Sequence, residues 1–166
     1  MKIGLIGAGR LGICFSLLCE KAGYDVLVSD IREDYVAALQ NKTIKTNEPL
    51  VSELLQTSEN FEATTDNQRV LEECDIIYTL VATPSLPSGD YDVSAVWKVV
   101  NDIITSGVKN KPFIVGCTTN PGDCEKFQEE LNDIGWEVFY NPEFIAQGSI
   151  VRDLQNADMV LVGGAE

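Results

Sequence analysis

Short apolar runs recur along this 166-residue chain, and most are followed by an amphipathic stretch of helical length. That alternation restricts the fold more than any other feature. KIGLI (2–6), DVLVSD (25–30), FEAT (61–64), DIIYTLV (75–81), PFIVGCT (112–118) and WEVFY (136–140) read as strands, and MVLVGG (159–164) as a seventh. Residues 10–22, 32–40, 50–56, 66–73, 93–106 and 122–134 read as helices. In the first of these, Leu11, Phe15, Leu18 and Ala22 recur at spacings of four, three and four, and Gly23 offers a stop. NKTIKTNEP and ATPSLPSGDYD read as loops. Strands joined through helices run parallel and need both faces covered. The expectation is one α/β domain over residues 1–166: a doubly wound, mainly parallel, Rossmann-like sheet whose halves are residues 1–64 and 75–140.

The composition narrows the chemistry. The formal charge is −14, which repels phosphate backbones and argues against nucleic acid; solubility is the simpler reading of the acidity. There is no histidine, so the usual general base and the commonest metal ligand are both missing. Acid–base work must fall to carboxylates, lysine, tyrosine, cysteine or water. Five cysteines, Cys14, Cys19, Cys74, Cys117 and Cys124, form no C-x-x-C pair and suit a reducing cytoplasm, and Cys14, Cys19 and Cys74 read as buried structural thiols. No metal site is expected. No apolar run reaches membrane-spanning length, and a strand begins at the N-terminus in place of a signal peptide.

GAGRLG (7–12) matches G-x-G-x-x-G. Alone the motif is weak, since glycines also mark ordinary turns. Here it lies between an expected strand and an expected helix, the setting that dinucleotide binding requires. Gly7 permits the tight turn, Gly9 lets a pyrophosphate approach the backbone, and Gly12 lets the helix pack on the sheet. The amides near Arg10 and Leu11 then face the phosphates. Asp30 closes the second strand, 18 residues beyond Gly12, where a carboxylate accepts the ribose hydroxyls of adenosine and repels a 2′-phosphate. The expected cofactor is NAD. Arg32 lies close enough to soften that preference, although an exposed, solvated charge is the simpler reading.

Four further segments, TNEPLVSELL (46–55), VATPSLPSGDYDVSAV (81–96), GCTTNPGD (116–123) and YNPEFIAQGSIVRDL (140–154), carry a family resemblance. In this order and spacing the whole chain resembles the N-terminal part of the UDP-glucose/GDP-mannose dehydrogenase family. The resemblance implies oxidation of the C6 alcohol of a nucleotide sugar to a carboxylate with two NAD. It implies that Val81, Thr83 and Ser85 lie along the dinucleotide, with Gln147 also near it. It implies that Thr118 holds a water or the sugar oxygen near the nicotinamide, and that Glu143, Phe144 and Ile145 line the substrate site, Glu143 as a catalytic carboxylate. The family usually has Ser where Cys117 stands, Val-Pro-Val where Thr119, Asn120 and Pro121 stand, Glu in many members where Gln147 stands, and often a basic residue where Tyr35 stands.

The residues alone leave alternatives open. Thr83 and Thr118 read equally as strand-end hydroxyls that cap helices. Glu143 reads as a solvated loop carboxylate, although Pro142, Phe144 and Ile145 suggest a drier setting. The resemblance also implies a later connecting helix, a substrate lysine, a catalytic cysteine and a homodimer formed through regions beyond this sequence, so the 166 residues are expected to be inactive alone. Another dehydrogenase of the 3-hydroxyacid type, or an NAD-binding module without catalysis, are the competing readings.

Overall fold

The computed structural model describes residues 1–164. Six parallel strands form the sheet: β1 (Lys2–Ile6), β2 (Asp25–Ser29), β3 (Phe61–Thr64), β4 (Ile76–Thr79), β5 (Pro112–Val115) and β6 (Glu137–Tyr140). A two-residue strand, β7 (Gly163–Gly164), adds to β6 in antiparallel sense. The spatial order is β3-β2-β1-β4-β5-β6-β7. The helices are α1 (Arg10–Lys21), α2 (Glu33–Gln40), α3 (Val51–Thr57), α4 (Asn67–Glu73), α5 (Ser94–Ser106), α6 (Asp123–Leu131) and α7 (Ile150–Gln155), with a 3₁₀ turn at Asn132–Ile134. This is the doubly wound arrangement that the alternation predicts.

Two apolar layers cover the sheet. Successive side chains of a strand point to opposite faces. Val26 and Val28 therefore join one layer with Ile13, Leu17, Leu39 and Leu55. Leu27, between them, joins the other with Val70, Val100, Ile103 and Phe127. Both layers are built of buried apolar side chains, and strands buried on both faces read as continuous apolar runs such as VLV.

The structure corrects three expectations. The strand expected at 159–164 pairs only at Gly163–Gly164, while Met159 and Val160 stand 56% and 73% exposed. An apolar run becomes a strand only where a neighbour completes its ladder. The strands expected to run to Asp30, Val81 and Thr118 end at Ser29, Thr79 and Val115. One last amide of each, on Asp30, Leu80 and Gly116, still donates to the neighbouring strand before the chain forms the loops at one edge of the sheet. Residues 150–155 form an unexpected helix, too short to show a period, whose Ile150 and Val151 are buried.

Lys111, just before β5, ties that strand to the end of α4. Its ammonium donates to the carbonyl oxygens of Leu71 (2.6 Å), Glu72 (3.1 Å) and Cys74 (2.6 Å) at the C-terminus of α4. Those carbonyls have no helical partner, and a cation there also meets the negative end of the helix dipole. Lys111→Met keeps the apolar stem and removes the donors. Its unfolding free energy should fall by about 1.5–3 kcal/mol, the usual worth of a charge-assisted bond, as read by urea denaturation. A loss within error of zero would show that water replaces the ammonium.

Candidate functional site

In a doubly wound sheet, the crevice lies beyond the C-terminal ends of the strands, where the order reverses. Here that point lies between β1 and β4, since β1 is flanked by β2 and β4. Gly7 leaves β1 with φ +100°, and its amide donates to the Ser29 carbonyl at 2.8 Å. A Cβ on Gly7 would come within 2.9 Å of the Leu80 and Val81 backbone. The exits of β1 and β4 thus touch main chain to main chain. A Cβ on Gly12 would collide with the Gly7 carbonyl oxygen, whereas one on Gly9 would meet nothing within 4 Å. The space over Gly9 is therefore open. No side chain caps α1 at its N-terminus, which leaves the first-turn amides, including those of Arg10 and half-buried Leu11, for a ligand.

Asp30 follows β2 at the same edge, with its side chain only 8% exposed. Arg32 grips it. Asp30 Oδ1 accepts from the Arg32 amide (3.1 Å) and from Nε (2.8 Å), and Oδ2 accepts from Nη2 (2.8 Å). The guanidinium also lies over the Tyr35 ring at 4.1 Å. Burial alone would push the Asp30 pKa up, but the bonds from Arg32 outweigh it and hold the carboxyl below its ordinary value. Arg32 is thus not the merely solvated charge that its position in the sequence suggests.

The loop after β4 carries Val81, Thr83 and Ser85. Ser85 bridges to Tyr91, and the Asp92 amide donates to the Pro84 carbonyl at 2.9 Å. Asn120 fastens the far end of this loop. Its Oδ1 accepts from the Tyr91 amide (2.8 Å), and its Nδ2 donates to the Tyr91 carbonyl (3.0 Å) and to Asp123 Oδ2 (2.8 Å). Sequence reasoning gave Asn120 no role. The start of α5 is served by Asp92, whose Oδ1 accepts from the Ser94 amide at 2.9 Å, and no side chain caps α6. Among the described residues, neither Thr83 nor Thr118 caps a helix. Thr118 is exposed.

Glu143 and Thr118 leave the same edge. Val115 of β5 pairs with Tyr140 of β6, and each residue lies three positions beyond its strand. Among the described residues no hydrogen bond joins the two side chains. Glu143 is half-buried, and burial raises its pKa. Phe144 is 57% exposed, while Ile145 packs on the α1 side of the sheet. Gln147 turns back to the phosphate loop, where its Oε1 accepts from Arg10 Nη1.

The anchor of this segment is Glu48, which the sequence reading passed over. It is 6% exposed. Its Oε1 accepts from the Gly148 amide at 2.6 Å, and its Oε2 faces the Ile150 amide at 3.4 Å. One buried carboxylate thus fixes a segment a hundred residues away in sequence. The thiols are quiet by comparison. Burial pushes Cys14 and Cys117 up to about 12 and Cys19 and Cys74 up to about 11, and it raises Cys124 as well. Among the described residues no cluster of metal-ligating side chains forms, and no helix is long and apolar enough to cross a membrane. A groove of about 730 Å³ beside α6 and β7, lined by Thr119, Pro121, Cys124 and Tyr140, does not include the glycine loop.

The family model described as "UDP-glucose/GDP-mannose dehydrogenase family, NAD binding domain" matches residues 1–166. A UDP-glucose 6-dehydrogenase of Haloferax volcanii is 28% identical over 98% of this chain and 41% of its own length. UDP-glucose 6-dehydrogenase 1 of Arabidopsis thaliana is 28% identical over 100% of this chain and 37% of its own. The crystal structure of a ternary complex of GDP-mannose dehydrogenase from Pseudomonas aeruginosa superposes with a TM-score of 0.90 at 22% identity, over 100% of this chain and 41% of that one. The chain spans about two fifths of the length of these proteins.

Glu48→Ala would strand the buried Ile150 amide and leave the exposed Gly148 amide to water, and its unfolding free energy should drop by about 1–3 kcal/mol. Hydrogen exchange should quicken at residues 146–150 and stay unchanged in β1. Uniform exchange along the chain would argue against a local anchor.

Proposed function

The chain belongs to the UDP-glucose/GDP-mannose dehydrogenase family as its NAD-binding domain, and from that premise we propose that it serves a nucleotide-sugar 6-dehydrogenase, binding NAD beside the C6 alcohol of a UDP- or GDP-sugar. The observation that carries this reading is the Arg10–Gln147 bond, which joins the phosphate loop to the segment bearing Glu143. Cofactor loop and candidate acid–base group are thereby held in one assembly. Bound NAD supplies the hydride acceptor, and this chain's residues hold it and take part in the final hydrolysis.

Gly7, Gly9 and the amides of Arg10 and Leu11 receive the pyrophosphate at the open N-terminus of α1. Asp30 receives the ribose. Val81, Thr83 and Ser85 follow the dinucleotide along the exit of β4, and Gln147 borders it from the other side. Phe144, exposed, and Ile145 flank the sugar. Oxidation to a carboxylate ends with water attacking an acyl–sulfur bond, formed on a cysteine of the full-length enzyme. Thr118 holds that water, Glu143 takes its proton, and the thiolate leaves. A carboxylate raised by burial suits this role better than a free one. The five thiols, three of them buried and Cys19 and Cys124 partly so, all lie above their ordinary values, which supports a nucleophile outside these residues and an inactive isolated domain. Residues 1–166 act as one cofactor unit, and the full-length enzyme works as a cytoplasmic homodimer.

Glu143→Gln tests the reading twice. In the full-length enzyme, turnover should fall by roughly 10²–10⁴-fold while NADH binding persists. Near-normal turnover would return Glu143 to an ordinary loop carboxylate. The second test uses stability. A raised carboxylate pKa means that the native state holds the proton more tightly than the unfolded chain. Its favourable contribution is complete below the unfolded pKa and is lost as pH rises through the folded one. The Gln variant should therefore melt above wild type at about pH 8 and approach it near about pH 4.

A further inference from the structure

The Asp30–Arg32–Tyr35 cluster changes how the ribose end reads its ligand. A carboxylate oxygen offers two acceptor positions. Oδ1 of Asp30 already takes two donors from Arg32, and Oδ2 takes one. An adenosine ribose with two free hydroxyls therefore meets a carboxylate whose acceptor positions are mostly taken, since the Ala8 amide faces it as well. The guanidinium is differently placed. Only Nε and one N–H of Nη2 are used, so three N–H donors remain open among the described residues, on a group 55% exposed to solvent. Tyr35 supports one face of it, which limits its freedom without covering its edge. The local charge at this end is a cation against an anion. The Arg32 cation offsets the repulsion that an isolated Asp30 would exert on a 2′-phosphate. Glu33 and Asp34 follow in the first turn of α2, but both are exposed and screened by water.

We propose that Arg32 is a specificity-determining residue that lets this site accept a 2′-phosphorylated adenosine, as in NADP(H), alongside the unphosphorylated one. The proposal rests on the dinucleotide reading of the glycine loop. Arg32 turns its free N–H edge to the 2′-phosphate in a charge-assisted, forked contact, with Tyr35 as its backing. Without Arg32 the site reverts to a bare carboxylate that selects strictly for NAD(H).

Isothermal titration of the wild-type chain, Arg32→Ala, Arg32→Lys and Asp30→Asn with NADH and with NADPH, at one ionic strength, decides the matter. Arg32→Ala should widen the ratio of the NADPH and NADH dissociation constants by about tenfold or more. Arg32→Lys should recover part of that change, since it keeps the charge and loses the fork. Asp30→Asn should shift the ratio toward NADPH. A ratio that Arg32→Ala leaves unchanged, because both affinities fall together or neither moves, would overturn the proposal and make Arg32 a support for Asp30 alone. Binding of neither dinucleotide to the wild-type chain would overturn the cofactor reading as well, an outcome distinct from an unchanged ratio.

Discussion

The architecture of this site depends on one contact between main chains. At Gly7 the exit of β1 presses against the exit of β4 so closely that no side chain fits between them. That closeness fixes the level at which both strands release their loops. The amide of Gly7 simultaneously holds Ser29 at the end of β2. Three strands thus stop in step, and the glycine turn, Asp30 and the Val81–Ser85 loop emerge from one line. Residues from three distant stretches of sequence meet there because their strands end together.

Around that line, carboxylates do different work according to what faces them. Asp30 is held ionised by a guanidinium. Glu48 is buried against backbone amides and fixes a loop. Glu143 is half-buried, and burial biases it toward its protonated form. In a chain without histidine, differences of environment among carboxylates take over the division of labour that imidazole would otherwise supply.

Much of this was legible in the residues. The alternation of runs implied the doubly wound sheet, and the strand-end positions of GAGRLG and Asp30 were readable as well, because both signals are local. The features that escaped depend on partners far along the chain. Glu48 acts on an amide a hundred positions away, and no spacing rule links TNEP to QGS. Arg32 looked solvated because exposure and engagement are compatible for a long side chain, and only coordinates reveal its grip on Asp30. Asn120 imitates a strand partner for Tyr91, which its residue type does not announce. Helix α7 is too short for periodicity, and the 159–164 run lacks a neighbour over most of its length.

The pairing of Arg10 with Gln147 bears on how a ligand arrives. A glutamate at that position would neutralise the guanidinium, whereas the amide of Gln147 holds it in place and leaves its charge intact. The protein as a whole carries −14 and repels an anionic dinucleotide at long range. Close to the glycine loop the Arg10 guanidinium opposes that repulsion. Diffusional encounter is therefore opposed by the distant charges and rewarded only in the last few ångströms, so added salt should hasten capture while weakening the grip that follows.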